Sequence, residues 1–339
     1  MPGVTIQKLT STDAFIAYDF ADAPSMGVTR SAPKILVDGA NLLARSLTYR
    51  FASFNRKVGG ASAGVNATPE GRDAALAAFV AEVEPLVRSG QFATDAAKGV
   101  DPSELAALRA ADVRPESYWE LHTELTSLGI AIAADLATGG LEGRTVAIEG
   151  LDDVGAAIAA AVIQRGARVV AVATSAGSIA DPSGFDAERL LTAWSDKGVG
   201  LVEDLGAEVA KPWTIFGHDV DVLVVGSKPG VIDHTVASGV KANVIVPSAA
   251  VPVTAKALAV LRRAEVVVIP DFVSTSGSMF AGWPTETTTD PRLELTSSIE
   301  AVLDEVLVHD DGPLLGACYR AEAFMSTWRD ELPFGRPLA

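Results

Sequence analysis

The order of apolar and polar positions in the first part of the chain predicts short strands followed by several helices. Residues 4–18 form a strand-like apolar run, and turn residues from Pro24 to Gly27 end it. Ile35, Leu43 and Leu47 then recur at helical spacing, which predicts a helix over residues 34–50. Three more helices are predicted on the same basis, over residues 70–88, 101–111 and 118–138.

The pattern changes after Gly139 and Gly140, which mark the end of a helix. Residues 145–149 and 168–173 are apolar runs of strand length, and the segment between them, 154–165, has helical spacing. A strand, a helix and a strand in this order form a βαβ unit, whose strands lie parallel in one sheet. Further strands are predicted over 219–226, 243–246 and 266–270, and final helices over 297–308 and 314–328.

These elements predict an α/β protein of two domains, because 339 residues exceed what one hydrophobic core usually organises. We expect an N-terminal α/β domain over residues 1–139 and a Rossmann-type domain with a doubly wound parallel sheet over 140–296. Residues 297–339 are expected to form helices that pack back on the first domain. The apolar strand Phe15 to Tyr18 would leave a sheet edge exposed, so a homo-oligomer is expected.

Charge and composition exclude several classes of partner. Acidic residues outnumber basic ones by 43 to 27, a formal charge of −16, which repels a nucleic-acid backbone. No segment is long and apolar enough for a signal peptide or a membrane span, and the one cysteine, Cys318, has no partner for a disulfide. A cytoplasmic protein is therefore expected. The four histidines are scattered, and no metal site is predicted: His122, His218, His234 and His309.

A loop at the start of the Rossmann-type segment stands where a dinucleotide-binding loop is expected, after a strand and before a helix. It consists of Gly150, Leu151, Asp152, Asp153, Val154 and Gly155. Asp152 replaces the glycine that lets the backbone approach a pyrophosphate. Its carboxylate either opposes a phosphate or simply caps the helix. At the end of the next strand, Thr174 and Ser175 stand where an acid would bind the adenosine ribose.

In their order along the chain, several short motifs resemble the glutamate, leucine, phenylalanine and valine dehydrogenases, most closely the leucine/phenylalanine branch. Gly27-Val28-Thr29-Arg30 resembles the Gly-Gly-Thr-Arg of that family, and Leu47-Thr48-Tyr49-Arg50 resembles a Met-Thr-Tyr-Lys helix end. The run from Gly59 to Gly64 corresponds to Gly-Gly-Ala-Lys-Gly-Gly. Residues 141–148, 181–186 and 269–273 resemble the approach to the Rossmann strand, an Asn-Pro-Asp-Gly-Leu-Asp loop and a Pro-Asp-Phe segment.

The resemblance implies oxidation of an amino acid to a 2-oxo acid and ammonia, with hydride passing to NAD or NADP. It also implies an N-terminal domain that binds the substrate and pairs subunits. The family uses one Lys for the substrate carboxylate, a second that polarises the carbonyl, and an Asp that moves protons. These positions hold Arg50, Ser62 and Ala97 here. Gly59 and Gly60 fall in the implied substrate site.

Two interpretations of these departures stay open. In one, the protein is an impaired or non-catalytic relative, since the Lys, the Asp, the middle glycine and the ribose acid are all replaced, and so is an Asn near the nicotinamide, at Ser248 and Ala249. Binding of NAD(H) is then weak or absent, while Arg50 still binds a carboxylate or amino-acid ligand. In the other, the protein is an active dehydrogenase that uses Arg50 with Asp95 or Lys98.

Overall fold

The contacts of the chain divide it into two compact units. The computed structural model describes residues 4–206, 208–285 and 290–339. Unit 1 comprises the described residues up to Pro115 together with Cys318–Pro337, and unit 2 comprises those of Glu116–Ala317 together with Leu338–Ala339. Each unit has its own sheet, which confirms the predicted two-domain α/β fold class.

Unit 1 is built on a five-stranded mixed sheet with the order β1-β2-β4-β3-β5. Its strands are β1 (Thr5–Lys8), β2 (Ala14–Tyr18), β3 (Ser25–Ala32), β4 (Gly59–Asn66) and β5 (Phe92–Ala96). Its helices are α1 (Val37–Ser53), α2 (Arg72–Arg88) and α3 (Ala106–Ala111), with 3₁₀ turns at Pro69–Gly71 and Pro102–Leu105. β3 runs parallel to β4 and β5, whereas β2 is antiparallel to β1 and β4.

The two faces of this sheet bury different helices. On one face, Leu76, Phe79 and Val83 of α2 pack in a core cluster with Ala61 and Ala63 of β4. On the other face α1 lies so close to β4 that only glycine fits at residue 60. A Cβ atom there would lie 1.8 Å from the backbone oxygen of Ala44. Alternate residues of β4 therefore pack against α2 and against α1.

Unit 2 is a Rossmann-type unit built on a six-stranded sheet with the order β11-β10-β9-β6-β7-β8, in which every pairing is parallel except that of β8 with β7. The strands are β6 (Thr145–Glu149), β7 (Arg168–Ala173), β8 (Ser178–Ala180), β9 (Val222–Val225), β10 (Val244–Pro247) and β11 (Val267–Val268). The helices are α4 (Ser117–Glu120), α5 (His122–Thr138), α6 (Asp153–Ile163), α7 (Ala187–Lys197), α8 (Leu201–Asp204), α9 (His234–Ala237), α10 (Ala255–Arg263), α11 (Asp271–Ser274), α12 (Met279–Gly282), α13 (Pro291–Val306) and α14 (Pro313–Met325). The division into units crosses α14 after Ala317.

Two sequence expectations about organisation differ from the structure. The division lies at Pro115 and not after Gly139, because α5 packs against α6 and α13 of unit 2. For the same reason α13 belongs to unit 2, and only Cys318–Pro337 joins unit 1. The strand Phe15 to Tyr18 is not an exposed edge, because β1 covers it and β2 lies inside the sheet.

Two further features were searched among the residues that the structure describes. None of the helices in this part of the chain is long and apolar enough to cross a membrane. Nor does it bring three His, Cys, Asp or Glu side chains together in a group that would hold a metal ion.

Candidate functional site

Ser62 lies at the centre of the unit 1 sheet, fully buried in β4, on the face that packs against α1. Its neighbour on this face is Arg30 of β3, whose Nη2 donates a long hydrogen bond of 3.4 Å to the Ser62 hydroxyl. The register explains the meeting, since Val28 pairs with Ser62 and Arg30 with Gly64, and paired residues share a face. The predicted position of a lysine thus holds a hydroxyl with a guanidinium beside it.

The Arg30 guanidinium has few partners of its own. Its Nε is buried and has no hydrogen-bond acceptor. Burial also lowers the pKa of this guanidinium, because removal from water disfavours the charged form. Among the described residues, no carboxylate lies within ion-pairing distance of it. Arg30 is therefore a partly buried cation that the chain itself leaves unneutralised.

Asp95, the predicted alternative acid, is engaged in an ion pair. It lies on β5 opposite Val28, and its Oδ1 accepts a 2.9 Å hydrogen bond from Nη1 of Arg114. The Arg114 side chain is only 2% exposed and also binds Asp112 through Nε at 3.0 Å and Nη2 at 2.6 Å. One guanidinium thus holds two carboxylates, and Asp95 forms part of a structural cluster.

The predicted acid position itself, Ala97, follows the end of β5. Its N–H donates to the Thr29 carbonyl at 2.9 Å, and the carbonyl of Lys98 accepts from Ser31 N–H at 3.0 Å. The segment is locked against β3 by Gly99, where a Cβ atom would lie 2.1 Å from the Ser31 oxygen. The backbone of Ala97 and Lys98 is therefore fixed, with a methyl group at the first position and an exposed ammonium at the second.

Gly59 and Gly60 serve the packing of the strand. The Gly60 N–H donates to the Thr48 hydroxyl of α1 at 2.8 Å, and a side chain at residue 60 would overlap α1. Gly59 donates its N–H to the Pro24 carbonyl at 2.8 Å. Arg50, the predicted carboxylate ligand, is half-buried in the last turn of α1.

The loop between β6 and α6 is closed on itself. Gly150 has φ of +76°, and a Cβ atom there would lie 2.6 Å from the nitrogen of Ser227, so close approach of the chain requires glycine. Asp152 is the N-cap residue of α6, and its Oδ1 accepts a 2.8 Å hydrogen bond from Gly155 N–H. Asp153 accepts a hydrogen bond from the indole of Trp194. Leu151 is buried, and Val154 is half-buried in the first turn.

The pKa of Asp152 reflects opposing influences. Although the residue as a whole is solvent-accessible, its carboxyl group lies against the protein, and this desolvation raises its pKa. The hydrogen bond from Gly155 lowers the pKa, and the nearby charge of Asp153 raises it, so that the net direction is upward. The carboxylate therefore occupies a backbone donor at the helix N-terminus at some electrostatic cost.

Other polar groups at the carboxyl ends of the unit 2 strands are likewise committed. Thr174 is buried, donating its hydroxyl to the Val199 carbonyl at 2.7 Å and accepting from Ala176 N–H at 3.1 Å, while Ser175 is exposed. Glu149 is 7% exposed, and its Oε2 accepts from the N–H groups of Gly226 and Ser227, each at 3.1 Å.

The loop after β10 contains Ser248 and Ala249, both half-buried, and ends at a strained residue. Ser248 N–H donates to the Val225 carbonyl at 2.8 Å, which ties the loop to β9. Val251 is buried with φ of +55°, a conformation that branched side chains rarely adopt. The buried carboxylate of Asp271 holds it by accepting from Val251 N–H at 2.9 Å.

These residues do not fit a tightly bound dinucleotide. A phosphate at the start of α6 would need the Gly155 N–H that Asp152 already occupies, and it would meet two carboxylates. A ribose at the end of β7 would meet a threonine hydroxyl whose hydrogen is already donated.

Taken by unit, the predicted positions form two groups. Ser62 and Asp95 share the α1 face of the unit 1 sheet, and the cofactor positions gather at the carboxyl ends of the unit 2 strands. Sequence reasoning missed Arg114, Asp112 and Glu149, and it did not assign Arg30 to a site. The available signal for Arg30 was an arginine within an otherwise small and apolar strand pattern.

Comparison with known proteins gives consistent matches. The family model for glutamate/leucine/phenylalanine/valine dehydrogenase matches residues 120–282. Glutamate dehydrogenase of Thermotoga maritima is 26% identical over 298 residues, which cover 78% of this chain and 69% of the relative. The structure of hetero-hexameric glutamate dehydrogenase from Thermus thermophilus, in a Leu-bound form, aligns with a TM-score of 0.76 at 24% identity, over 94% of this chain and 85% of that one. L-tryptophan dehydrogenase from Nostoc punctiforme aligns with a TM-score of 0.67 at 21% identity, over 96% of each chain.

Proposed function

Because the chain belongs to the glutamate/leucine/phenylalanine/valine dehydrogenase family, we propose that it binds an amino acid or 2-oxo acid by its carboxylate. We propose further that it oxidises such a ligand far more slowly than a working member of the family. The family reaction is NAD(P)-dependent oxidative deamination of an L-amino acid to a 2-oxo acid. It requires a fixed positive charge at the reacting carbon and a base that takes and returns protons.

The observation that carries the proposal is the ion pair between Asp95 and Arg114. Ala97 has no acid group, so Asp95 is the nearest carboxylate in sequence to the expected proton shuttle. Arg114 holds Asp95 at 2.9 Å while also binding Asp112, which commits the carboxylate to a structural cluster. The Ser62 hydroxyl supplies a dipole where a lysine would supply a charge, and Lys98 is exposed.

For the cofactor, we propose weak or absent binding of NAD(H) and NADP(H). The Asp152 carboxylate accepts the hydrogen bond of Gly155 N–H, a donor that a phosphate at this helix N-terminus would use. We also propose a homo-oligomer, since the Thermus thermophilus relative is hetero-hexameric and β1 forms one edge of the unit 1 sheet. Light scattering on the purified chain measures this mass directly.

The test of turnover is a spectrophotometric assay of NAD(P)H on a panel of leucine, phenylalanine, valine and glutamate, and on their 2-oxo acids with ammonia. We expect rates at least about a thousandfold below those of a working family member, from one lost electrostatic contact and one lost acid or base. The double variant Ser62→Lys, Ala97→Asp should gain activity.

Turnover on the order of 1 s⁻¹ or more, in the ordinary range of enzymes, would overturn the proposal of impaired catalysis. In that case Lys98→Met and Asp95→Asn identify the substitute groups by which of them abolishes the activity. Binding of the ligands, measured by calorimetry on the same samples, tests the first half of the proposal independently of turnover.

A further inference from the structure

We infer that Arg30, with the Ser62 hydroxyl beside it, binds the carboxylate of the ligand on unit 1. The inference rests on the proposed function for the identity of the ligand. It differs from the expectation drawn from family resemblance, which gave this role to Arg50. It also explains how the chain provides a positive charge at a position where serine replaces the lysine of the family.

The first argument is the missing counter-ion. A partly buried charge is costly unless a charge of opposite sign or several hydrogen bonds compensate for it. Arg30 has a buried Nε without an acceptor and one long hydrogen bond from Nη2 to a neutral hydroxyl. No described carboxylate pairs with it. A ligand carboxylate would supply the charge compensation that the free protein lacks.

The second argument comes from the other arginines of unit 1. Arg45, Arg114 and Arg336 each bind a carboxylate through the edge formed by Nε and Nη2. Their partners are Asp19, Asp112 and Glu322. This unit therefore neutralises guanidinium groups that serve the fold with an internal acid. Arg30 departs from that rule.

The third argument concerns the surroundings of the guanidinium. Its Nη1 lies 4.0 Å from the place a Cβ atom would take at Gly39, in the first turn of α1. That helix has no side-chain cap at Leu36, so its N-terminal N–H groups add positive potential next to the cation. Asp38 in the same turn is exposed and forms no ion pair with Arg30. Both cationic features favour an anion at this point.

The fourth argument is position. Arg30 reaches Ser62 from the neighbouring strand, so the charge that a lysine at residue 62 would carry arrives at the same point of the sheet face by another route. An arginine at this point holds a carboxylate through two parallel hydrogen bonds, whereas a lysine acts as a point charge.

The experiment compares binding of L-leucine and L-leucinamide by calorimetry to the full chain and to Arg30→Met, Arg30→Lys and Arg50→Met. We expect Arg30→Met to weaken leucine binding by about tenfold to a hundredfold, the range for loss of hydrogen bonds to a charged group. Leucinamide, which lacks the carboxylate, should bind the wild type and Arg30→Met equally weakly. Arg30→Lys should retain part of the affinity, and Arg50→Met most of it.

Thermal unfolding of the same variants provides the readout that a structural role would not give. Arg30→Met should unfold at the wild-type temperature or above it, since it removes an uncompensated charge. A strongly destabilised Arg30→Met would overturn the inference, and so would unchanged leucine affinity in a folded Arg30→Met while the wild type binds. If the wild type binds no amino acid, the proposed function fails, and acetate then tests Arg30 alone. Acetate should stabilise the wild type more than Arg30→Met, and equal stabilisation would overturn the inference.

Discussion

At the strand ends of unit 2, carboxylates and hydroxyls of the chain take up the nearby backbone groups, whereas on the unit 1 sheet the Arg30 guanidinium is left without a carboxylate. Asp152 binds Gly155 N–H, Glu149 binds two amides beyond β9, and the Thr174 hydroxyl binds a carbonyl. Both regions lie where the family resemblance implies ligand contacts. Their polar groups nevertheless differ in whether the fold already satisfies them.

This difference separates the two proposals. A polar group that the fold satisfies gains little from a ligand, because binding must first break an existing hydrogen bond. A partly buried charge that the fold leaves unpaired gains from any anion that fits. The comparison therefore predicts carboxylate binding on unit 1 and poor dinucleotide binding on unit 2, in one protein.

The largest expected effect concerns Arg114, the paired counterpart of Arg30. Arg114→Met leaves the Asp112 carboxylate, which is 2% exposed, without its partner and frees Asp95 as well. We expect a loss of about 3–5 kcal/mol in the free energy of unfolding, the usual cost of breaking a buried ion pair from one side. Urea unfolding measures it.

Arg30→Met is the matched control, with the same substitution on the same face of the sheet. If both variants lose similar stability, the distinction between a paired structural arginine and an unpaired binding arginine fails. If Arg114→Met alone is destabilised, the distinction holds, and any ligand affinity that Arg114→Met loses is attributable to unfolding.

A second prediction tests whether the glycine-rich strand β4 serves packing. Gly60→Ala should lower the free energy of unfolding by about 3 kcal/mol, the upper end of typical overpacking costs, because its Cβ atom would lie 1.8 Å from the Ala44 oxygen. Gly39→Ala, in α1, is the control and should be neutral or stabilising by up to about 1 kcal/mol. Its Cβ atom meets only Nη1 of Arg30, at 4.0 Å. An equal loss in both variants would contradict the packing role.

Periodicity predicted the regular parts of the fold and failed where side chains are small. The helices α1, α2 and α5 and the strands β6 and β7 lie close to the segments that spacing indicated. The strand β4 was not predicted as a strand, since glycine and alanine give no alternation of apolar and polar residues. Its strand character comes from tertiary packing between α1 and α2, which no local pattern records.

The candidate site was predictable in its sequence positions but not in its partners. The cap at Asp152 followed from an acid at a helix start and is present. The pairing of Asp95 with Arg114 depends on how a turn after α3 returns to β5, and that path has no signature in the sequence. The meeting of Arg30 with Ser62 needs the register of β3 against β4, which only the folded sheet sets.

The smallest expected effect concerns Asp152 and the cofactor. Asp152→Gly removes the negative charge and frees the Gly155 N–H, so NADH should bind about tenfold more tightly in a fluorescence titration, a gain of about 1.4 kcal/mol. The same variant should lose about 1 kcal/mol of stability with its helix cap. Asp152→Asn keeps the cap and removes only the charge, so its affinity should lie between the two. Tight wild-type binding that neither variant improves would show that Asp152 does not oppose a phosphate.

The pH dependence gives the sign of the same effect. The Asp152 pKa is raised in the folded protein above its usual value of 3.8. Its contribution to stability is therefore complete below that value and lost as the pH rises through the raised pKa. Above the raised pKa the group is charged and repels a phosphate; below it the group is neutral. We expect NAD⁺ affinity of the wild type, measured by calorimetry, to increase as the pH falls through this range. In Asp152→Asn the affinity should change less over the same range, since only Asp153 then titrates at the start of α6. An identical pH profile in the two proteins would assign the dependence to other carboxylates and remove Asp152 from the account of weak cofactor binding.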